Sequence, residues 1–261
     1  MPVTIRTSLR RLSQAEFGDL AYSVMGCVFQ IHREFGRFFD EKIYKRELAL
    51  RHPGVELEVP IEITHGSFRK TQYMDVLVER GGLFEFKAVE AIVPRHQAQL
   101  LHYMLLAELW HGKLVNLRNE SVQHEFVNTS LTRSDRIDFE VADHAWCDTV
   151  PGAAKFREVL TTLLLDWGTG LDVQLYDEAL VHFLGGVVEV LQDVKVRTAQ
   201  HKLGHQRLRL AAPRVAFAVT TLPGADPNYE EHAHRFVSHT DLDAVLWANI
   251  ELKRVTFTTV T

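Results

Sequence analysis

Asp75, Glu85 and Lys87 fall within thirteen residues of one another, in the stretch "YMDVLVERGGLFEFKAV" from Tyr73 to Val89. Two carboxylates and a lysine at this spacing could hold and use a hard divalent cation. Successive side chains of a strand point to opposite faces, so Glu85 and Lys87 share one face, while Phe84 and Phe86 share the other and go to the core. With Arg80, Gly81 and Gly82 as a three-residue loop holding glycine at its left-handed position, Glu79 pairs with Leu83. That register sets Asp75 opposite Lys87 and Glu85 opposite Leu77, which makes the carboxylates diagonal neighbours about 7 Å apart at their backbones. Their oxygens could then converge on one ion. Magnesium takes oxygen ligands at roughly 2.0–2.1 Å and keeps several waters, so two carboxylates and a substrate phosphate would suffice. The same residues also suit a solvated sheet face with an Asp75 to Lys87 ion pair worth about 0.2–1 kcal/mol. The hairpin alone does not separate the two.

The elements that must carry these residues are readable from periodicity. Between Ser13 and Phe35 the apolar residues Phe17, Leu20, Ala21, Val24, Val28 and Ile31 recur at helical spacing, behind Ser13 with Glu16 three residues on, which predicts a helix with a capping box. A second helix is predicted through Ile43, Tyr44 and Leu48 to His52, where Pro53 and Gly54 end it. "VELEVPIEIT" alternates as a strand, "GSFRK" is the expected turn, and the hairpin follows. After it come a helix through "RHQAQLLHYMLLAELW" and a strand at "GKLVNL". This order is α/β or α+β, with a sheet in the middle. The polar stretch from about Arg118 to Pro151 is expected to be a connection with little core of its own.

Two features weigh toward a site. Gln99 and Tyr103 lie four apart on the helix after the hairpin, so both can face the sheet or a bound strand. Glu41 on the preceding helix could supply a third carboxylate. The chain order is thus Glu, Asp, Glu-x-Lys, Gln-x-x-x-Tyr, and "EFGRFFDEKIYKRELA" with "YMDVLVERGGLFEFKAVEAIVPRHQAQLLHY" resembles the PD-(D/E)XK nuclease superfamily, its GxxExxY branch in particular, over about residues 15 to 120. The glycine that names the branch's motif is replaced here by Phe38, while Glu41 and Tyr44 keep their places. The resemblance implies a restriction-endonuclease-like mixed sheet flanked by helices. It implies a metal-dependent nuclease acting on nucleic acid, DNA first, with Mg2+ as cofactor and Mn2+ as a substitute. Asp75 and Glu85 would bind the metal with Glu41 assisting, Lys87 would orient the attacking water or stabilise developing charge, and Gln99 and Tyr103 would position the phosphodiester or brace the site. His96 falls inside the family-like "HQAQ", where substrate contact and helix capping are both open. Hydrolysis of a phosphodiester needs a nucleophile generated near neutral pH and positive charge at the phosphorus oxygens, which a metal and a lysine supply together.

Beyond Pro151 the pattern repeats. Gly168 and Tyr176 keep the eight-residue spacing of Gly36 and Tyr44, 132 positions on, and "GTGLDVQLYDEAL" lies over "GRFFDEKIYKREL". Downstream, "VAFAV" falls on "FEFKA", "HAHRF" on "QAQLL" and "LKRVTF" on "GKLVNL", at offsets drifting from 131 to 140. Either two amphipathic stretches coincide by chance, or the chain holds a nuclease-like domain at 1–130 and a degenerate copy at 151–261, the two forming an intramolecular pseudo-dimer. On these offsets Asp75 maps to Gln206, Glu85 to Ala216, Lys87 to Ala218, Glu41 to Val173 and Tyr103 to Ser238, so the copy lacks every catalytic residue.

The 261 residues suffice for one large domain or two modest ones, and a net charge of −5 gives no global attraction to nucleic acid or anionic membrane. The basic segments "IRTSLRR", "KIYKRELALRH" and "FRK" could form a local phosphate-tracking groove or solvated helix faces. Cys27 and Cys147 show no metal or redox spacing, the N-terminal stretch lacks the apolar core of a signal peptide, and no apolar run reaches bilayer length. A cytoplasmic protein with no membrane partner is expected. Homo-oligomers are left open, as is a non-catalytic binding or scaffold role that retains the nuclease-like fold.

Overall fold

The computed structural model describes residues 2–224 and 227–261. It divides into two compact units, Met1–Arg133 and Ser134–Thr261. No helix among the described residues is long and apolar enough to cross a membrane.

In the first unit β1 (Val3–Ile5) precedes α1 (Gln14–Phe35), α2 (Glu41–Arg51), β2 (Val55–His65), β3 (Phe68–Val78), β4 (Gly82–Lys87), α3 (Pro94–Ala107), β5 (His111–Asn116) and β6 (Gln123–Asn128). The strands form one mixed sheet in sequence order, with β4 and β5 parallel and the other neighbours antiparallel. The expected capping box is present: Ser13 caps α1 and Glu16 returns to the Ser13 amide. All six predicted apolar positions of α1 are buried, packed on Val76, Val78, Phe84, Phe86 and Val115 of the sheet. The other face lies under α3, where Leu100 and Met104 crowd Gly112 so closely that an added Cβ would meet them at 3.0 and 2.8 Å.

The hairpin register differs from the expected one. Val78 pairs with Gly82 and Leu77 with Leu83, so the loop is Glu79, Arg80 and Gly81. Glu79 and Arg80 themselves take the left-handed conformation, with φ of 48° and 60°. The glycines serve packing instead of the turn. A Cβ at Gly81 would strike the Arg10 carbonyl oxygen at 2.5 Å, and one at Gly82 would strike Leu20 of α1 at 2.6 Å. The "GSFRK" turn is also shorter than expected, since Phe68 already pairs with His65.

The second unit runs α4 (Arg133–Ile137), β7 (Glu140–His144), α5 (Ala153–Trp167), α6 (Val173–Phe183), α7 (Val187–Val190), β8 (Leu191–Arg197), β9 (Lys202–Ala212), β10 (Val215–Thr220), α8 (Pro227–Ser238), β11 (Ala244–Ile250) and β12 (Arg254–Val260). The supposed connection at 118–151 is therefore structured: β6 closes one edge of the first sheet, and β7 pairs with β12 at an edge of the second. Setting aside the short α4 and α7, strand, two helices, three strands, helix, two strands is the order in both units. The central parallel pair, β4 with β5 or β10 with β11, recurs. One strand differs. β1 lies beside β2, whereas its counterpart β7 lies at the opposite edge, beside β12 and parallel to it.

Two side-chain details recur as well. The Tyr44 hydroxyl donates to the Gly36 carbonyl at 2.7 Å, and the Tyr176 hydroxyl to the Gly168 carbonyl at 2.5 Å. Asn116, at the end of β5, accepts from the Val89 amide at 3.1 Å and donates to the Val89 carbonyl at 2.7 Å. Asn249 of β11 does the same with Leu222, at 2.8 and 3.0 Å. The counterpart of "GKLVNL" is thus "AVLWANI", and "LKRVTF" leads into β12, the counterpart of β6. The offset holds at 132 to 133 and does not drift to 140.

Candidate active site

Glu85 is fully buried in the centre of the sheet, on the face under α3. β4 is central and covered on both sides, so its charged face is not wet. The Lys87 ammonium lies 2.6 Å from Glu85 Oε1, while Glu85 Oε2 is buried with no hydrogen-bond partner. Burial, with the charge of Asp75 second, pushes the Glu85 carboxyl up to about 7 against the opposing pull of Lys87. Burial likewise opposes the Lys87 charge, but Glu85, Asp75 and Glu41 outweigh it and raise its pKa.

Asp75 sits where the ladders on both sides open. The last paired residues of β3 and β4 are Val76 and Phe84; one residue further on, that register sets Asp75 across from Glu85, and Asp75 Oδ2 accepts from the Phe86 amide at 3.1 Å. On the other side Glu58 of β2 drops out of the ladder, its φ at 50°. The expected Asp75 to Lys87 pairing is overturned by this register. The partner of Asp75 is Lys45, whose ammonium lies 3.1 Å from Oδ1, also bonds Glu58, and stands 3.9 Å from Glu41. Lys45 is almost wholly buried; burial disfavours its charge, and Glu58 and Asp75 more than restore it. Glu41, at the first turn of α2, is raised by burial and then by the Asp75 charge.

From α3, the Gln99 amide donates to the Tyr103 hydroxyl at 3.4 Å, and burial followed by the nearby acids Glu85 and Asp75 raises the tyrosine. Between the two readings of His96 the geometry favours the cap. Its Nδ1 accepts from the Val93 amide at 3.2 Å, and burial with the Lys87 charge lowers its pKa. The structure therefore brings Glu41, Asp75, Glu85, Lys87, Gln99 and Tyr103 to one end of one sheet face. It adds Lys45 and Glu58, which sequence reasoning missed. Lys45 had a signal, since it lies four residues after Glu41 and so on the same face of α2.

Residues 18–129 match the PD-(D/E)XK nuclease superfamily. The match lies within the first unit, and members of that superfamily are usually phosphodiesterases that use divalent metal ions. No curated protein and no solved structure shows a significant match to the chain. Among the described residues no three His, Cys, Asp or Glu side chains form a ready metal cage. The donor set nevertheless fits a hard cation: carboxylate oxygens alone, one of them buried and unpartnered, with the remaining positions such a cation needs open to water or a substrate oxygen.

In the second unit, the offset of 133 carries Glu58, Asp75, Glu85, Gln99 and Tyr103 of the first unit to Leu191, Leu208, Ala218, His232 and Phe236. All five line one cavity of about 660 Å³. Lys87 corresponds to Thr220 and Lys45 to Asp177. The expected counterparts Gln206, Ala216, Ala218 and Ser238 are thus each replaced, because the strands align two residues away from the sequence match. Where the first unit gathers acids, the second has apolar groups.

Proposed function

We propose that the first unit is a metal-dependent nuclease of the GxxExxY type that hydrolyses phosphodiester bonds in nucleic acid, DNA in the first place. One observation carries this reading: a buried carboxylate with a free oxygen, a second carboxylate and a lysine meet at the opened end of a central sheet, where burial carries a desolvation cost. Asp75 and Glu85 hold a magnesium ion, or manganese in its place, and Glu41 assists them from α2. When bound, the metal supplies positive charge at the phosphate and lowers the pKa of water. Lys87 stays protonated beside its acids, orients the attacking water and stabilises charge developing on the phosphate oxygens. Lys45 holds Asp75 in place. Gln99 and Tyr103 brace the phosphodiester, and His96 fixes the start of the helix that carries them. The second unit is a degenerate copy that has exchanged its catalytic groups for an apolar cavity, and it serves as additional substrate surface or scaffold.

The test is cleavage of labelled single- and double-stranded DNA and RNA with magnesium or manganese. The wild type cuts, and Lys87→Ala and Asp75→Ala each lose about 100- to 1000-fold in rate. Equal rates in all three proteins would sink the enzyme reading. Binding without any cleavage would support the non-catalytic scaffold in its place.

A further inference from the structure

Phe38 is 77% exposed, in the short loop between α1 and α2 and three residues before Glu41. Nothing in the fold needs it. The Tyr44 hydroxyl donates to the Gly36 carbonyl and accepts from the Phe39 amide at 3.3 Å, and Phe39 packs edge-on against Phe35 and Tyr44. The residues on both sides of Phe38 are thus pinned to a buried tyrosine, and the ring between them is held outward. The second unit makes the same Tyr176 to Gly168 bond with Gly170 in this position, at a φ of 78° that Phe38 does not share.

Two guanidiniums flank the ring, Arg37 at 5.3 Å and Arg118 at 5.9 Å from its centroid. Arg118 follows Leu117, whose amide donates to the Lys87 carbonyl at 2.9 Å, so it stands at the same end of the sheet as Lys87. An exposed aromatic ring within cation–π distance of two guanidiniums, three residues before Glu41 of the proposed site, combines the two elements that single-strand recognition uses: a face for a base and charge for the backbone.

We propose that Phe38 is a stacking platform for an unpaired base of the substrate, with Arg37 and Arg118 on its flanking phosphates, and that the enzyme therefore acts on single-stranded or locally unpaired nucleic acid. This rests on the nuclease reading of the site. In a duplex the bases are stacked on one another and offer no free face to the ring.

The experiment uses the full chain and fluorescein-labelled 15-nucleotide single strands and their duplexes, with binding followed by anisotropy in EDTA so that no cutting occurs. Phe38→Ala weakens single-strand binding about tenfold and changes duplex binding less than twofold, while Phe38→Trp retains wild-type affinity. In cleavage with magnesium, Phe38→Ala raises KM for the single strand and leaves kcat within twofold. Single-strand affinity of Phe38→Ala within twofold of wild type overturns the proposal, as does equal loss on single strand and duplex. The two readings fail separately. Phe38-dependent binding without cleavage removes the nuclease and keeps the platform; cleavage indifferent to Phe38→Ala does the reverse.

Discussion

Glu85 holds its proton more tightly folded than unfolded, and this has a definite sign. Its pKa rises from 4.5 to about 7, so the folded state binds the extra proton between those values. Its contribution to stability is present below about pH 4.5 and is lost as pH climbs through 7. Metal-free wild type should show falling urea midpoints from pH 5 to 8 relative to Glu85→Gln, and parallel profiles would remove the assignment. A divalent cation must displace that proton, so calorimetry in buffers of different ionisation enthalpy should find proton release on magnesium binding at pH 6.5 and weaker affinity there than at pH 8. Lys45 supplies the neighbouring charge. It neutralises Asp75 from within the protein, and Lys45→Ala should cost about 3 kcal/mol because the carboxylate is left without its cation; chemical denaturation measures it. Which residues hold charge was legible in the sequence, since Glu41, Asp75, Glu85 and Lys87 all reach the site. Who pairs with whom was not, because cross-strand pairing depends on a register that one loop decides.

That loop shows why elements were easier to read than their junctions. The capping box and apolar stripe of α1 are local and redundant, and they predict the helix to within a residue. "RGG" suggests that glycine takes the left-handed turn, yet Glu79 and Arg80 do so, because Gly81 and Gly82 are needed where Arg10, Leu12 and Leu20 press against the hairpin. No local rule reveals an obligation to residues sixty positions away. Asn116 and Asn249 were missed for the same reason, each acting on a backbone segment 27 residues earlier. Each stitches both polar groups of that segment to the end of a central strand. Asn116→Ala should therefore cost about 2–3 kcal/mol, two bonds lost with a buried amide and carbonyl exposed to poor partners, and Asn249→Ala a similar amount. A loss below 0.5 kcal/mol at either position, measured from denaturant midpoints with unchanged slopes, would contradict the role.

At the scale of the whole chain, the two units share an order of elements while only one carries charged chemistry. Thr220, at the position of Lys87, should tolerate replacement in turnover: Thr220→Ala should cut nucleic acid within twofold of the wild-type rate per folded molecule, against the collapse expected for Lys87→Ala. A matching loss would place the second unit in the reaction. The shared order of elements has a trace in the sequence in Gly36, Tyr44 and their echoes, but the strand positions do not follow the sequence match, because "VAFAV" resembles "FEFKA" more closely two residues out of step. β1 and β6 edge the first sheet and β7 and β8 the second, with β8 bridged at Val196 to Thr240. A bare strand invites cross-chain pairing unless charge discourages it. β6 carries His124 and Glu125, and β8 carries Asp193, Lys195 and Arg197. The polar character that makes residues 118–151 look like a tether thus sits partly on an edge strand, where charge discourages cross-chain pairing.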